Sequence, residues 1–421
     1  MDSAPSLDAL FQAAQGLAGF GCFDVGENQT VLTWGEGTPH TVSDGWQAFV
    51  RSNLRPSSTE ASLFSGGVIG WLGYEAGRSV EAMPDQRQPR PTHDVCLWRT
   101  DGAITIHHDT ATTSIHGTEA FKVHARALLD AAASLESRTM PSSPAGPWAP
   151  PNPEVRARRF TAGVDQVLEH VRKGDVYQVN LAWEQAQLPV ADASHTWLRL
   201  RGANPATRGC FLRQSDVEII SNSPELFLEV EPKSRQMRSA PIKGTAPRTS
   251  GEAGRQALQS SPKERAELTM IVDLVRNDLG RIASPGTVQA GPRTLRECGD
   301  LWHAEQTVEA TLAPEHDAVD AVAAAFPPGS VTGAPKVRAM QVIHSLEDRP
   351  RGVYTGALGF FSDAGGVHLN VAIRTATVIG GKARFHVGAG IVADSQPELE
   401  WSETLDKARA LANSLRPEAQ P

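Results

Sequence analysis

"GVHLNVAIRTATVIGGKARFHVGAGIVADSQPELEWSETLDKARALANSL", residues 366–415, decides the fold class. GVHLNVAIRTATVI (366–379) and KARFHVGAGIV (382–392) read as strands. SQPELEWSETLDKARALANSL (395–415) then reads as a closing helix, opened by a serine three residues before Glu398. Working outward, VYQVNLAWEQ (176–185) and EIISNSPELFLEV (218–230) alternate like half-buried strands, and FTAGVDQVLEHVRKGD (160–175) has helical spacing before a Gly174 stop. SPKERAELTMIVDLVRNDLGRIA (261–283) predicts a helix capped by Ser261, with Pro262 at the first helical position. Many strands flanked by helices predict an α+β or α/β protein.

One segment breaks the texture. MPSSPAGPWAPPNPEV (140–155) is too rich in proline for a continuous helix or a central strand, and it reads as an extended linker. It follows a helical stretch, TEAFKVHARALLDAAASLES (118–137). The expected division is therefore an N-terminal domain over 1–139, a linker over 140–155 and a catalytic domain over 156–415.

Composition narrows the function classes. The chain has 421 residues, 40% hydrophobic and 21% charged, with a formal net charge of -8. That balance offers no nucleic-acid surface and leaves metabolite chemistry open. Cys22, Cys96, Cys210 and Cys298 lie far apart, without the paired spacing of a zinc site or a disulfide scaffold. A reducing cytoplasm is expected. The start lacks the basic region of a signal peptide, and no run of about 18 apolar residues predicts a membrane span.

Several stretches carry groups suited to chemistry. APIKGTAPR (240–248) frames Lys243 between prolines and beside Gly244, either as an ordinary turn lysine or as an amine whose position and protonation are controlled. Glu264 and Glu267 share a helix face; Glu264 also suits a cap, whereas Glu267 lies beyond it. Glu400, Glu403 and Lys407 share a face of the closing helix, as a solvated Glu–Lys set or as ligands for a hard cation such as Mg²⁺, which takes one or two carboxylates plus waters and an anionic substrate. FPPGSVTGAPKVRAM (326–340) sends a glycine-containing turn into a helix near Pro335, where free N–H groups favour a carboxylate. Gly388 and Gly390 in VGAGIV read as a tight turn or as backbone donors. Arg374 in AIRTA is a surface group or a carboxylate fork. His303 in DLWHAEQ and Glu225 in SNSPELF complete the titratable candidates.

Taken together and in order, these stretches resemble the chorismate-utilising enzymes: the large subunits of anthranilate and aminodeoxychorismate synthases, with isochorismate and salicylate synthases as relatives. The resemblance rests on GDVYQVNLA, SNSPELF, PIKGTAPR, KERAELTMIVDLVRNDLGR, LWHAEQTV, FPPGSVTGAPKVRAMQVI, RGVYTGALGF, AIRTA, GAGIVADSQPELEWSET and Lys407, from about residue 155 to 413. GGVIGWLGYEAGR (66–78) extends it more loosely into the N-terminal part.

The resemblance implies two packed antiparallel sheets with helices outside. It implies that Glu267 and Glu403 hold Mg²⁺ with Glu264 and Glu400 beside them, and that Glu225 protonates the departing C4 hydroxyl. Thr332, Tyr354, Arg374, Gly388, Gly390 and Lys407 would line the pocket for the substrate carboxylates, with His303 beside the ring. Anthranilate synthases of this family read P-I-A-G-T where this chain has P-I-K-G-T, so the expected branch is the aminodeoxychorismate one, with Lys243 as covalent nucleophile in the route to p-aminobenzoate and folate. Gln178 stands where the isochorismate and salicylate synthases carry a lysine that activates water, which disfavours water as nucleophile. No glutaminase motif is evident, so ammonia is expected from a separate glutamine amidotransferase subunit. An anthranilate synthase and a catalytically silent chorismate-binding relative are the alternatives.

Overall fold

The structure is a computed structural model, and it describes residues 4–56, 63–83, 92–136, 138, 148–299 and 301–416. Two antiparallel sheets face each other. The first is ordered Gly333–Ala334, Gln178–Pro189, Lys382–Ile391, Thr375–Ile379, Val217–Ser223, Arg208–Gln214, Phe20–Val25, Gln29–Trp34, Gly102–His107 and Thr112–Gly117. The second is ordered Ile242–Pro247, Leu301–Thr311, Gln236–Ala240, Leu226–Val230, Val367–Val371, Ala357–Ser362, Gly67–Leu72 and Val95–Thr100, with Gln289–Cys298 also paired to Leu301–Thr311. Chain from both sides of residues 140–155 contributes to both sheets.

The sheets are held by side chains from their inner faces. Phe23, Val31, Leu212 and Ile219 of the first meet Ile69, Trp71, Trp98 and Phe360 of the second, the interdigitated core expected of a sandwich. The outer faces are covered by helices. Leu7–Ala13, Glu119–Ala133, Ala193–Ala203 and Pro397–Leu415 pack on the first sheet. Pro262–Gly280 and Ala318–Ala325 pack on the second. Among the described residues no helix is long and apolar enough to cross a membrane, and all four cysteines are buried and unpaired.

Local structure departs from expectation in instructive places. Residues 140–147 of the expected linker lie outside the described residues, but its end is ordered: Pro153 opens the helix Pro153–Arg172. Proline lacks only an N–H that the first helical turn leaves unused, so proline density did not exclude a helix there. The closing helix has no serine cap. Gln396 is its cap residue, and the Ser395 hydroxyl instead accepts from the Val392 N–H. VGAGIV is not a turn, because Gly388 and Gly390 lie inside the strand Lys382–Ile391, opposite Ala182 and Asn180.

Two short crossovers place the site. At Pro224–Glu225 the chain leaves Val217–Ser223 in the first sheet and enters Leu226–Val230 in the second; at Ala372–Arg374 it passes from Val367–Val371 back to Thr375–Ile379. Such crossings leave residues outside both ladders at the ends of central strands. Arg374 adopts φ +50 there, a left-handed conformation uncommon for a residue other than glycine.

Candidate active site

A cavity of about 340 Å³ opens beside the crossovers, and most of the sequence-derived candidates meet in it: Glu225, Lys243, Glu264, Glu267, His303, Tyr354, Arg374, Gly388, Gly390, Glu400, Glu403 and Lys407. Strands and helices supply them in a regular way. Ile242–Pro247 presents Lys243, and the helix Pro262–Gly280 packs against that strand. His386, Gly388 and Gly390 alternate onto one face of Lys382–Ile391. Glu400, Glu403 and Lys407 come from the closing helix, where Lys407 Nζ is 2.6 Å from Glu403 Oε1 and donates to the Gly388 carbonyl at 3.2 Å.

Glycines make the close approaches. A Cβ on Gly244, which has φ +84, would lie 2.6 Å from Glu264 Oε2, so the lysine strand and the glutamate helix pack closely only because this residue has no side chain. Glu264 is not half of a capping box. The Ser261 hydroxyl accepts from the Glu264 N–H, but the Ser261 N–H donates to the Ala257 carbonyl, which leaves the Glu264 carboxylate to the cavity. Across it, a Cβ on Gly390 would lie 3.1 Å from Lys243 Nζ and 3.0 Å from Gln178 Nε2. Among the described residues neither buried amide atom of Gln178 finds a hydrogen-bond partner.

Burial and neighbouring charge set the protonation pattern. Burial raises the Glu225 carboxyl to about 7, against the pull of the Ser330 hydrogen bond and the Lys243 charge. Burial also lowers the Lys243 amine below its ordinary value, helped by Lys407 and opposed by Glu267, Glu225 and Glu403. His303, 2% exposed, is pushed to about 3 by burial and by Arg374, Arg296 and Lys407. It is therefore neutral, and because arginine can only donate, its Nε2 accepts from Arg374 at 3.2 Å. The pattern is a buried acid near neutrality, an amine biased toward its neutral form, and fixed cations at Arg374 and Lys407.

The four glutamates bear on Mg²⁺. Among the described residues no three His, Cys, Asp or Glu groups come together as a metal cluster, yet a hard cation completed by water and substrate needs only one or two carboxylates. Burial holds Glu267 above the usual carboxylate range, and Glu264 and Glu400 add to this. Glu400 is likewise raised, by burial and by Glu403. Glu403 is instead lowered, because Lys407 outweighs burial. Carboxylates that disfavour one another's charge in one wall are donors that a divalent cation would suit.

One candidate lies elsewhere. Thr332 does not line the cavity: its hydroxyl turns back to the Pro328 and Gly329 carbonyls, both at 3.2 Å, and its own carbonyl accepts from the Asn180 N–H at 2.8 Å. The turn faces the cavity through Ser330 and Val331 instead. Asn180, Lys263 and His386 were also missed. His386, two residues before Gly388 on the same strand face, could have been found by alternation; it stacks on Tyr354 with ring centroids 5.5 Å apart.

Comparison with known proteins gives the family. The chain is 36% identical over 399 residues to aminodeoxychorismate synthase component 1 of Escherichia coli (strain K12), covering 92% of this chain and 86% of that one. It is 33% identical over 412 residues to anthranilate synthase component 1 of Geobacillus stearothermophilus, covering 90% and 80%. The crystal structure of anthranilate synthase component I from Streptococcus pneumoniae TIGR4 matches it with a TM-score of 0.79 and 26% identity, covering 92% of each chain. A family profile described as chorismate binding enzyme spans residues 14–413, and the chain belongs to the chorismate binding enzymes.

Proposed function

We propose that this chain aminates chorismate at C4 as the chorismate-binding component of an aminodeoxychorismate synthase. The observation that carries the reading is Lys243, an amine biased toward its neutral, nucleophilic form and placed in one cavity with the buried acid Glu225. The Lys243 lone pair forms a bond to ring C2, both conjugated double bonds of the ring shift (C1=C2 to C1=C6, C5=C6 to C4=C5) and the C4–O bond breaks. Glu225 gives its proton to the departing oxygen, which leaves as water. Ammonia then bonds at C4, both double bonds shift back and the C2–N bond breaks, returning Lys243 as a neutral amine. The new ammonium at C4 returns a proton to Glu225, which restores the acid.

Other groups bind rather than react. Arg374 and Lys407 are suited to the two substrate carboxylates, with neutral His303 orienting Arg374. Mg²⁺, held by Glu267 and Glu403 with Glu264 and Glu400 beside them, would supply positive charge for the ring carboxylate. The ammonia source is a separate glutamine amidotransferase chain in the cytoplasm. The relatives that carry component 1 in their names support a two-component assembly.

The test is to incubate the chain with chorismate, Mg²⁺ and an ammonium salt, with and without aminodeoxychorismate lyase. p-Aminobenzoate formed only with lyase supports C4 amination. Anthranilate formed without lyase overturns it and places the chain with the anthranilate synthases, whose relatives are almost equally similar. Chorismate bound without turnover indicates a silent relative. Lys243→Ala should shift residual product toward C2 amination.

A further inference from the structure

The carboxyl of Glu225 is approached from behind by groups that this reaction does not use. Its Oε1 accepts a short hydrogen bond from the Ser330 hydroxyl, and the N–H of Ile242, next to Lys243, also donates to the carboxyl. Ser330 is 5% exposed and sits in the short 3-10 turn Gly329–Val331. Behind it lies a void of about 10 Å³ walled in part by Glu225, Ser239, Asp278 and Ser330, room for about one water.

A buried ion pair fixes that turn. Lys336 Nζ is 2.8 Å from Asp278 Oδ2, with the side chains 6% and 5% exposed, and it also donates to the Ala325 carbonyl at 2.8 Å. Asp278 comes from the helix Pro262–Gly280, Lys336 opens Lys336–Leu346 and Ala325 closes Ala318–Ala325. Three helices are thus tied together around the turn. A Cβ on Gly329 would lie 2.7 Å from Leu274 Cδ2, so the turn has no room to slide.

We propose that Ser330 is a positioning residue for the proton of Glu225, and that the Asp278–Lys336 pair holds Ser330 in place. A hydroxyl donating to Oε1 leaves the single acidic proton to Oε2. The same bond favours the ionised carboxyl, so it opposes burial and keeps the acid near neutrality instead of far above it. Lys243 acts in the same direction and Glu305 in the opposite one. Around Asp278, Lys336 and Arg281 favour the carboxylate and Glu81 disfavours it. The proposal rests on Glu225 acting as the acid of the reaction above, but not on which ring carbon receives the amine.

The test compares wild type, Ser330→Ala and Ser330→Cys, which keeps the volume with a poorer donor. Chorismate loss is followed against pH, so the readout is independent of product, and the Glu225 carboxyl is titrated directly by infrared difference spectroscopy with Glu225→Gln as the spectral blank. The limb belonging to Glu225 should move upward by about one pH unit in Ser330→Ala and by less in Ser330→Cys. kcat should fall by about tenfold with KM for chorismate unchanged. A folded variant whose carboxyl titrates as in wild type overturns the proposal, whatever its rate. If wild type leaves chorismate untouched, the functional reading fails while the carboxyl titration still decides the role of Ser330.

Discussion

Replacing Gly390 with alanine would put one methyl group between the tip of Lys243 and the amide of Gln178. Its Cβ would start 3.1 Å from Lys243 Nζ and 3.0 Å from Gln178 Nε2. Relaxed contacts of this kind lie at about 3.5–4.0 Å, so the amine must withdraw by about half an ångström. Both obstructing atoms end flexible side chains, and neither is backbone. The fold should therefore tolerate the change, at a cost below about 1 kcal/mol. Reactivity should not tolerate it, because a nucleophile works within about 3–3.5 Å of its target and about 1 Å of misplacement can cost about a hundredfold. Half of that displacement predicts roughly a tenfold loss in kcat with ammonia as amine donor. KM for chorismate and the melting temperature should be little changed. The assay is lyase-coupled p-aminobenzoate formation beside a thermal melt. A Gly390→Ala protein of full activity would refute the placement of Lys243, and one that no longer folds would refute the claim that only side-chain tips obstruct the methyl.

The neighbouring positions predict different outcomes. At Gly388 the added Cβ would lie 2.6 Å from the Leu181 carbonyl, a backbone atom of the paired strand, so Gly388→Ala should cost about 1–3 kcal/mol, read as a lower midpoint in urea. Glu225→Gln should reduce kcat by about 10²–10⁴-fold and yet stabilise the fold. A carboxyl raised from 4.5 to about 7 binds more protons folded than unfolded between those values, so stability falls as pH rises through that window, by roughly 3 kcal/mol in all. The glutamine variant should lack that slope in urea titrations from acid to neutral pH. Lys336→Met leaves Asp278 buried without its cation and should destabilise by about 3–5 kcal/mol, visible in the same titrations. Mg²⁺ should raise the melting temperature of wild type and have a smaller effect on Glu267→Gln; an equal rise in both would remove Glu267 from the metal-binding set.

The sequence carried much of this architecture because its signals are local. Alternation marked Gln178–Pro189 and Val217–Ser223, and the Ser261–Pro262 pair marked the start of Pro262–Gly280. Most of the residues that meet in the cavity were also legible, because the ordered motifs from GDVYQVNLA to Lys407 resemble one family. The misreadings share a cause. Ser395 resembles a helix cap, Gly388 and Gly390 resemble a turn, and Thr332 resembles a ligand-facing hydroxyl; each depends on which partner the tertiary structure provides.

The chain by itself determined that strands and capped helices alternate, and that lysine, arginine and glutamate side chains stand at spacings that suit an anionic ligand and a hard cation. These follow from residue type and spacing, which act over one or two turns of chain. Only the tertiary structure decided that Glu225 and Arg374 sit at the two crossovers between the sheets, that Gly390 leaves space for Lys243, and that Glu225 is raised to about 7 while Ser330 holds its Oε1. Desolvation and hydrogen bonding between segments a hundred residues apart depend on the packed three-dimensional arrangement, and no local pattern along the chain encodes that arrangement.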